Sequence, residues 1–340
     1  GWWDQEDIYG AQAVYRALEA RDTDNDRVYL VAGPWNHGQQ IDEASSLGAI
    51  EFDANTALQF RRDVLRPFLD HFLRDDAPKH DTAPVVAFET GSNRWQRLSA
   101  WPRGCDAGCT TTATPLYLRA DAALSFDAPK ADDAPESDYL SDPAKPVPFT
   151  RRPIRAVAYD DDAYWPKWLV DDQRDAASRT DVLTFVSEPL SKPLKIAGEP
   201  VAQLFAATSG SDSDWVVKLI DVYPDEVPRQ PQMGGYQLMV SADIFRGRYR
   251  ESYEHPKPIE PNALLPYRIP LPNANHVFGK GHRLMVQIQS TWFPLYDRNP
   301  QTFVPNIFFA KPEDYRKATQ RIAHAPAAAS HIVLPVVESQ

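Results

Sequence analysis

The sequence has no stretch that approaches the roughly 20 apolar residues of a membrane-spanning helix, and it has no excess of positive charge. Its 36 Lys and Arg residues are outnumbered by 47 Asp and Glu residues, which gives a net charge of −11. Proteins that bind the phosphate backbone of nucleic acids need clustered Lys and Arg. These two shortages exclude a membrane role and a nucleic-acid role.

Cysteine is also scarce, with only Cys105 and Cys109 among 340 residues. The two lie four positions apart in a Gly/Thr-rich loop, where a small disulfide is one interpretation and would suit an oxidising compartment. A pair of surface thiols is nearly as well supported. Because no His or second Cys pair is near, we predict no metal site.

The chain contains no Gly-x-Ser-x-Gly sequence, the turn that presents a nucleophilic serine in α/β-hydrolases. Its serines lie in loops such as Ser209 to Ser211, without a strand before and a helix after. The sequence opens on Gly1-Trp2-Trp3-Asp4, with neither Met nor a charged-then-apolar leader. We therefore interpret it as the later part of a longer protein.

The composition is that of a folded globular protein, since 43% of the residues are hydrophobic and 24% are charged. A length of 340 residues is enough for two domains. Residues 1–76 show an α/β pattern. Apolar residues at helical spacing predict a helix near 5–21 with Asp4 as N-cap, and a second helix over 55–74 despite Pro67. Between them, 27–32 is typical of a buried parallel strand.

Beyond residue 76 proline becomes frequent and helical periodicity disappears, so we place a domain boundary there and predict an all-β second domain over 77–340. Many short strands separated by turns indicate a β-sandwich, most economically a jelly roll. We interpret the acidic, Pro-rich segment 127–150 as a long surface loop. Strands are predicted at 85–89, 115–119, 181–186, 194–197, 202–207, 215–223, 236–244, 267–270, 283–290 and 331–335.

Two residues of the first domain have the chemistry and order of a catalytic acid and base. Asp4 opens the first helix and His37 follows the next strand, so both are expected at one edge of the sheet, in the chain order Ser, acid, His. A carboxylate that orients an imidazole lets the other ring nitrogen accept a serine proton. By position alone, a helix cap and a loop histidine are the commoner interpretations, and a serine nucleophile would have to precede Gly1.

Longer stretches of sequence resemble a known family. Gly1-Trp-Trp-Asp-Gln-Glu-Asp-Ile-Tyr-Gly-Ala11 and Gly33-Pro-Trp-Asn-His-Gly38 resemble the acid and histidine motifs of the α-amino acid ester hydrolases, in the group that includes cocaine esterase and the X-prolyl dipeptidyl peptidases. The resemblance continues at 91–95, 172–174, 181–183, 218–224 and 296–300, and so covers nearly the whole chain. It implies a C-terminal fragment of an α/β-hydrolase domain followed by a jelly-roll domain.

The resemblance also implies roles for individual residues. Asp4 matches the triad acid, His37 the triad base, and Glu6 and Asp7 match two carboxylates that hold the substrate's α-ammonium group. The implied enzyme hydrolyses or transfers the acyl group of α-amino acid esters and related amides such as β-lactam antibiotics. It would be a periplasmic or secreted homo-oligomer without a cofactor, and its nucleophile and oxyanion hole would lie in the absent N-terminal half.

Simpler alternatives stay open. Acidic residues in a first helical turn favour the positive end of the helix dipole, which would explain Glu6 and Asp7 without any substrate. The chain could also be a non-catalytic β-sandwich module, or an esterase, acylase or X-prolyl peptidase of the same group with another preference. Asp160 to Asp162 could bind a hard cation but more simply form a solvated loop. The other histidines are expected at surfaces and turns, and Trp165 in edge packing of the sandwich.

Overall fold

The structure is a computed structural model and describes residues 1–103, 109–131, 134–159 and 163–338. Its first part contains the helix α1 (Gly10–Glu19) and the strands β1 (Leu30–Ala32), β2 (Ser46–Leu47) and β3 (Ile50–Glu51). These are followed by the helices α2 (Thr56–Phe60) and α3 (Arg66–Leu73). The predicted helix over 55–74 is therefore present, and α1 is shorter than the predicted 5–21.

The junction between α2 and α3 is a π-helical turn over Arg61–Leu65 that leads into Pro67. Proline has no N–H to donate to the preceding turn, and its ring crowds the carbonyl four residues earlier. A locally widened turn lets the chain pass this position while remaining helical. The amphipathic pattern thus predicts the helix correctly, but not its internal irregularity.

Strands β4 (Val85–Glu89) and β5 (Arg94–Leu98) complete a small sheet with the order β1-β4-β5, in which β1 and β4 are parallel. The predicted boundary between residues 76 and 77 therefore separates β1 from its partner β4 and from the rest of this sheet. Strand 85–89 is present as predicted, but it extends the sheet of the first part and does not join the large sheets of the second.

In the described residues that follow, the regular structure is mainly β-strand, together with one short α-helix, α4 (Arg174–Ala177). Its strands are β6 (Thr111–Leu118), β7 (Leu124–Ser125), β8 (Glu136–Ser141), β9 (Leu183–Val186), β10 (Leu194–Gly198), β11 (Val201–Thr208), β12 (Asp214–Val222), β13 (Gln237–Arg246), β14 (Leu265–Pro270), β15 (Ala274–Phe278), β16 (Arg283–Gln289), β17 (Ala318–Ala323) and β18 (His331–Val337).

These strands form two packed sheets, and the second part of the chain is a β-sandwich. One sheet has four antiparallel strands in the order β13-β12-β16-β9, and the other has nine, with β15-β10-β18-β11-β17-β8 as its main path. Side chains that alternate along strands of both sheets, such as Trp215, Leu204 and Leu334, meet in one buried core.

A second core covers the opposite face of the four-stranded sheet. There Val216 and Met239 pack with Trp2, Phe52 and Val85 from the first part of the chain. Nearly every residue of β12 is consequently buried, including Lys218 and Asp221, because both faces of the strand are covered. The first part of the chain is thus packed flat against the sandwich.

One predicted loop is wrong. Within the acidic segment 127–150, Glu136–Ser141 forms β8 and pairs along its whole length with β17. The charged side chains of β8 point outward, while Tyr139 and Ser141 are buried. The acidic residues of this strand therefore mark only its solvent-facing side.

Cys109 is disulfide-bonded, whereas Cys105 lies outside the described residues. Among the described residues, no helix is both long and apolar enough to cross a membrane.

Candidate active site

The segment that carries Asp4 lies directly beside the segment that carries His37. The backbone N–H of Trp2 donates to the carbonyl of Gly33 at 2.9 Å, and that of Trp3 donates to Trp35 at 3.2 Å. Gly1 permits this close approach, since a Cβ there would lie 2.0 Å from the carbonyl oxygen of Trp35. Two segments more than 30 residues apart are therefore held in fixed register up to the candidate site.

Asp4 and His37 are in hydrogen-bond contact. The ring nitrogen Nδ1 of His37 lies 3.0 Å from one carboxylate oxygen of Asp4 and 3.2 Å from the other. Asp4 is 8% exposed, whereas the His37 side chain is 46% exposed. The buried carboxylate fixes the tautomer with a proton on Nδ1, which leaves Nε2 on the accessible side to accept a proton.

The Asp4 carboxylate accepts further hydrogen bonds from the turn that follows it. Its Oδ1 accepts from the backbone N–H of Asp7 at 2.8 Å and of Glu6 at 3.0 Å. Burial alone would raise the pKa of Asp4, but the N–H donors and His37 outweigh it, so its pKa lies below the usual value. Asp4 therefore stays ionised beside the imidazole, as an orienting carboxylate must.

Glu6 faces the other side of the same imidazole. Its Oε2 lies 3.8 Å from His37 Nε2, and its Oε1 accepts a hydrogen bond of 3.1 Å from the indole N–H of Trp165. Trp165 belongs to a segment of the second part of the chain. It was expected to pack at the sandwich edge, whereas the structure places it against a predicted site residue.

Asp7 has a different local role. Its Oδ1 accepts the backbone N–H of Gly10 at 2.9 Å, at the residue where α1 begins. Asp4 and Asp7 thus each accept N–H groups of successive turns, and the regular helix starts six residues after Asp4. The two acids predicted to bind an ammonium group differ in position: Glu6 borders the imidazole, and Asp7 holds the helix start.

Gln5 is a site residue that the sequence interpretation missed. Its side-chain oxygen accepts the backbone N–H of His37 at 3.1 Å. Gly38, the next residue, has a left-handed φ of 81°, a conformation that favours glycine. A glutamine between two acids gives no sequence signal for this contact, because the acceptor and donor are 32 residues apart.

The histidines His276 and His282 also differ from expectation. Both were predicted at a surface or turn, yet His276 is wholly buried in β15 and His282 is partly buried. Asp221 accepts from His276 at 3.1 Å and from His282 at 2.8 Å, and Thr90 contacts the other nitrogen of His276 at 2.8 Å. Burial acts to raise the pKa of Asp221, but the two imidazoles hold it below its usual value. This cluster joins three sheets.

Within the described ranges, no three His, Cys, Asp or Glu side chains are grouped so that they could hold a metal ion. The acidic run at 160–162, considered for a hard cation, lies outside the described residues. What the described site offers is acid–base chemistry: an oriented imidazole, its buried carboxylate and a second carboxylate within reach of a bound cation.

Comparisons with known proteins show which family this chain resembles. A family model described as the X-Pro dipeptidyl-peptidase C-terminal non-catalytic domain matches residues 77–333. Cocaine esterase of a Rhodococcus species is 31% identical over 93% of this chain and 52% of its own length. The chain thus spans about half the length of this curated relative.

Two solved structures are closely similar. An α-amino acid ester hydrolase is 60% identical with a TM-score of 0.95, over 99% of this chain and 54% of that chain. An aminopeptidase from a marine sediment archaeon of the Thaumarchaeota is 54% identical with a TM-score of 0.94, over the same shares of the two chains. Both likenesses therefore extend over nearly the whole of this chain and about half of the other.

Proposed function

We propose that this chain is the C-terminal part of a serine hydrolase that cleaves esters and amides of α-amino acids. The premise is that it belongs to the family of the X-Pro dipeptidyl-peptidase C-terminal domain and to the group that contains α-amino acid ester hydrolases and cocaine esterase. The observation that carries the proposal is that the carboxylates of Asp4 and Glu6 lie on the two sides of the His37 imidazole.

In the proposed reaction a serine outside this chain attacks the acyl carbon. Its proton passes to Nε2 of His37, and Asp4 stabilises the resulting imidazolium. The leaving alcohol or amine then takes that proton, which leaves an acyl-enzyme. Water releases the acid by the reverse sequence, and another amine in place of water would give acyl transfer, as in the handling of β-lactam antibiotics.

Glu6 supports the choice of an α-amino substrate. Its carboxylate lies beside the nitrogen that exchanges the proton and is oriented by Trp165. An α-ammonium group bound to Glu6 would place the neighbouring acyl carbon close to His37, and it would offset the repulsion between Glu6 and the Asp4 carboxylate. Asp7 adds a third negative charge to the same turn, so we assign both Glu6 and Asp7 to the ammonium site.

The domain assignment belongs to the same proposal. Residues 1–76 are the end of an α/β-hydrolase domain, and residues 77–340 are a jelly-roll form of the sandwich. The start of the family match at residue 77 supports the boundary. The parallel pairing of β1 with β4 supports the α/β character of the first part, although β4 lies beyond residue 76. We extend the proposal to a periplasmic or secreted homo-oligomer that needs no cofactor.

Peptide hydrolysis is a second candidate because one of the two similar structures is an aminopeptidase. The N-terminal ammonium group of a peptide is chemically equivalent to that of an α-amino ester. Glu6 and Asp7 would therefore bind it in the same way, and the choice between ester and peptide would depend on the leaving-group side. Comparing an amino acid ester with the matching dipeptide on the full-length protein separates the two activities.

The ammonium assignment is tested with Glu6→Gln and Asp7→Asn in the full-length protein. A charge-assisted hydrogen bond contributes about 1.5–3 kcal/mol. Each change should therefore lower kcat/KM for an α-amino ester by roughly 10- to 100-fold, at about 1.4 kcal/mol per factor of ten.

The matched ester without the amino group is the control substrate, and it should be much less affected. Measuring both esters on each variant cancels any general damage to the fold or to His37. Equal losses on both esters would show that Glu6 and Asp7 serve only the helix start. No activity on any ester or peptide in the wild-type protein would favour a non-catalytic module.

A further inference from the structure

Glu6 has a fixed backbone but a partly exposed side chain. Its backbone N–H donates to Oδ1 of Asp4 at 3.0 Å, and the Tyr9 hydroxyl, which donates to Asp243, ties the same turn to β13. The Glu6 side chain is 36% exposed, so packing alone does not select one rotamer. A glutamate that is free to rotate loses conformational entropy whenever it binds a partner.

An unrestrained Glu6 would also compete for the base. The acidic side chains that face the two ring nitrogens of His37, among the described residues, are Asp4 at 3.0 Å from Nδ1 and Glu6 at 3.8 Å from Nε2. The second distance is too long for a hydrogen bond, but a change of the Glu6 rotamer would shorten it. Carboxylates on both sides stabilise the charged imidazole, and a charged imidazole has no free nitrogen to accept the serine proton.

Trp165 supplies the restraint that the Glu6 side chain otherwise lacks. Its indole N–H donates to Oε1 of Glu6 at 3.1 Å and lies 3.3 Å from the Tyr159 hydroxyl. The tryptophan is itself held in place, because it packs against the core shared by both parts of the chain and closely precedes the buried helical turn Trp168–Val170. An indole donates without carrying a charge, so it fixes the carboxylate and leaves its negative charge in place.

We propose that Trp165 is a positioning residue that holds Glu6 for the substrate and keeps it off His37. With Oε1 bonded to the indole, Oε2 is the oxygen left for an ammonium group, and it stays short of a hydrogen bond to Nε2. The ammonium part of this inference rests on the proposed function, whereas the separation of Glu6 from His37 does not.

Trp165→Phe in the full-length protein tests the proposal, because it keeps an aromatic ring and removes the N–H. For an α-amino ester, kcat/KM should fall by about 2- to 12-fold, mainly through KM, since binding must then order a free Glu6 side chain. For the matched ester without the amino group, the acid limb of the pH–rate profile should move up by about 0.2–0.7 pH unit, as an exposed ion pair between Glu6 and protonated His37 would cause. The plateau at higher pH should be unchanged.

The same substitution in a Glu6→Gln background shows whether Trp165 acts through Glu6. There it should cause neither change, because a neutral side chain does not form an ion pair with the imidazolium, and the two substitutions should therefore be non-additive. Trp101→Phe is the matched control. Trp101 packs against the same core, but its indole donates to Asn273 at 3.0 Å, so both esters should react as with the wild-type protein.

NMR gives the comparison without a substrate. The Cε1 proton of His37, assigned with His37→Ala, should titrate at a higher pH in Trp165→Phe than in the wild-type protein, and not in the double variant. An unshifted titration would overturn the separation of Glu6 from His37, and an unchanged KM for the α-amino ester would overturn the role toward the substrate. A shifted titration in a protein that cleaves neither ester would contradict the proposed function and support the positioning of Glu6 by Trp165.

Discussion

Lys218 is a charged residue type in an environment that differs strongly from water. It is wholly buried in β12, where its ammonium group donates to the side-chain oxygen of Gln173 at 2.9 Å and lies 5.1 Å from the centre of the Trp292 ring. Burial lowers the pKa of Lys218 to about 7. The charged form is therefore disfavoured in the folded protein compared with the unfolded chain.

Lys218 should make stability increase with pH above neutrality. Between the folded pKa of about 7 and the unfolded value of about 10.4, the unfolded chain carries a proton that the folded protein lacks. Raising the pH then favours the folded state, with a slope of up to about 1.4 kcal/mol per pH unit. Urea unfolding at a series of pH values should show this rise in the wild-type protein and not in Lys218→Met.

Lys192→Met is the matched control, because Lys192 is exposed and its replacement should keep the wild-type slope. If Lys218→Met and the wild-type protein gave parallel pH profiles, the ammonium group of Lys218 would have to be charged or hydrated in the folded state. Gln173 and Trp292 would then not form the closed environment described for it.

At the scale of single elements, the turn between Asp4 and α1 both positions the site and starts the helix. Asp7→Ala removes the acceptor of the Gly10 N–H and should lower the free energy of unfolding by about 0.5–2 kcal/mol, as the loss of a helix-capping side chain does. Asp7→Asn keeps an oxygen in that place and should have a smaller effect. Urea unfolding of the two variants checks this.

The two Asp7 variants also separate capping from ammonium binding. Asparagine retains the hydrogen-bond acceptor but not the charge, so a variant that is stable and yet poor with α-amino esters identifies the charge as the functional feature. Equal destabilisation by Asn and Ala would contradict the contact with Gly10.

Local sequence patterns predict some elements well and others not at all. The helix over 55–74 and most sandwich strands follow from periodicity because one face of each is apolar. β8 was missed because its acidic residues alternate with Tyr139, and a Pro-rich, charged context resembles a loop. The start of α1 was placed too early because Asp4 and Asp7 both carry capping chemistry, and the sequence alone does not say which one begins the helix.

The site residues also divide into those that the sequence predicts and those that it does not. Asp4 and His37 are recognisable because each lies in a distinctive short motif, and the backbone contacts of Trp2 and Trp3 bring the motifs together. Trp165 and Gln5 were not recognisable, because their contacts join residues 159 and 32 positions apart. Such contacts depend on how the first part of the chain packs on the sandwich, which no local pattern encodes.

At the scale of the whole molecule, the candidate site depends on both parts of the chain. The first part supplies the acid and the base, and the second supplies Trp165 beside Glu6. The two parts meet at the outer face of the four-stranded sheet, where Val216 and Met239 pack with Trp2 and Phe52. The cluster of Asp221 and two histidines fixes the same junction through Thr90. We infer that the sandwich contributes directly to the shape of the active site.

The central claim is that Asp4 and His37 serve a serine that precedes Gly1, and labelling of the full-length protein by a fluorophosphonate probe tests it most directly. One serine ahead of Gly1 should be modified, as located by mass spectrometry, and His37→Ala should slow the labelling by at least about 100-fold. His255→Ala, at an exposed position, should label at the wild-type rate. A label on a serine within residues 1–340, no labelled serine at all, or labelling that is independent of His37 would contradict the account.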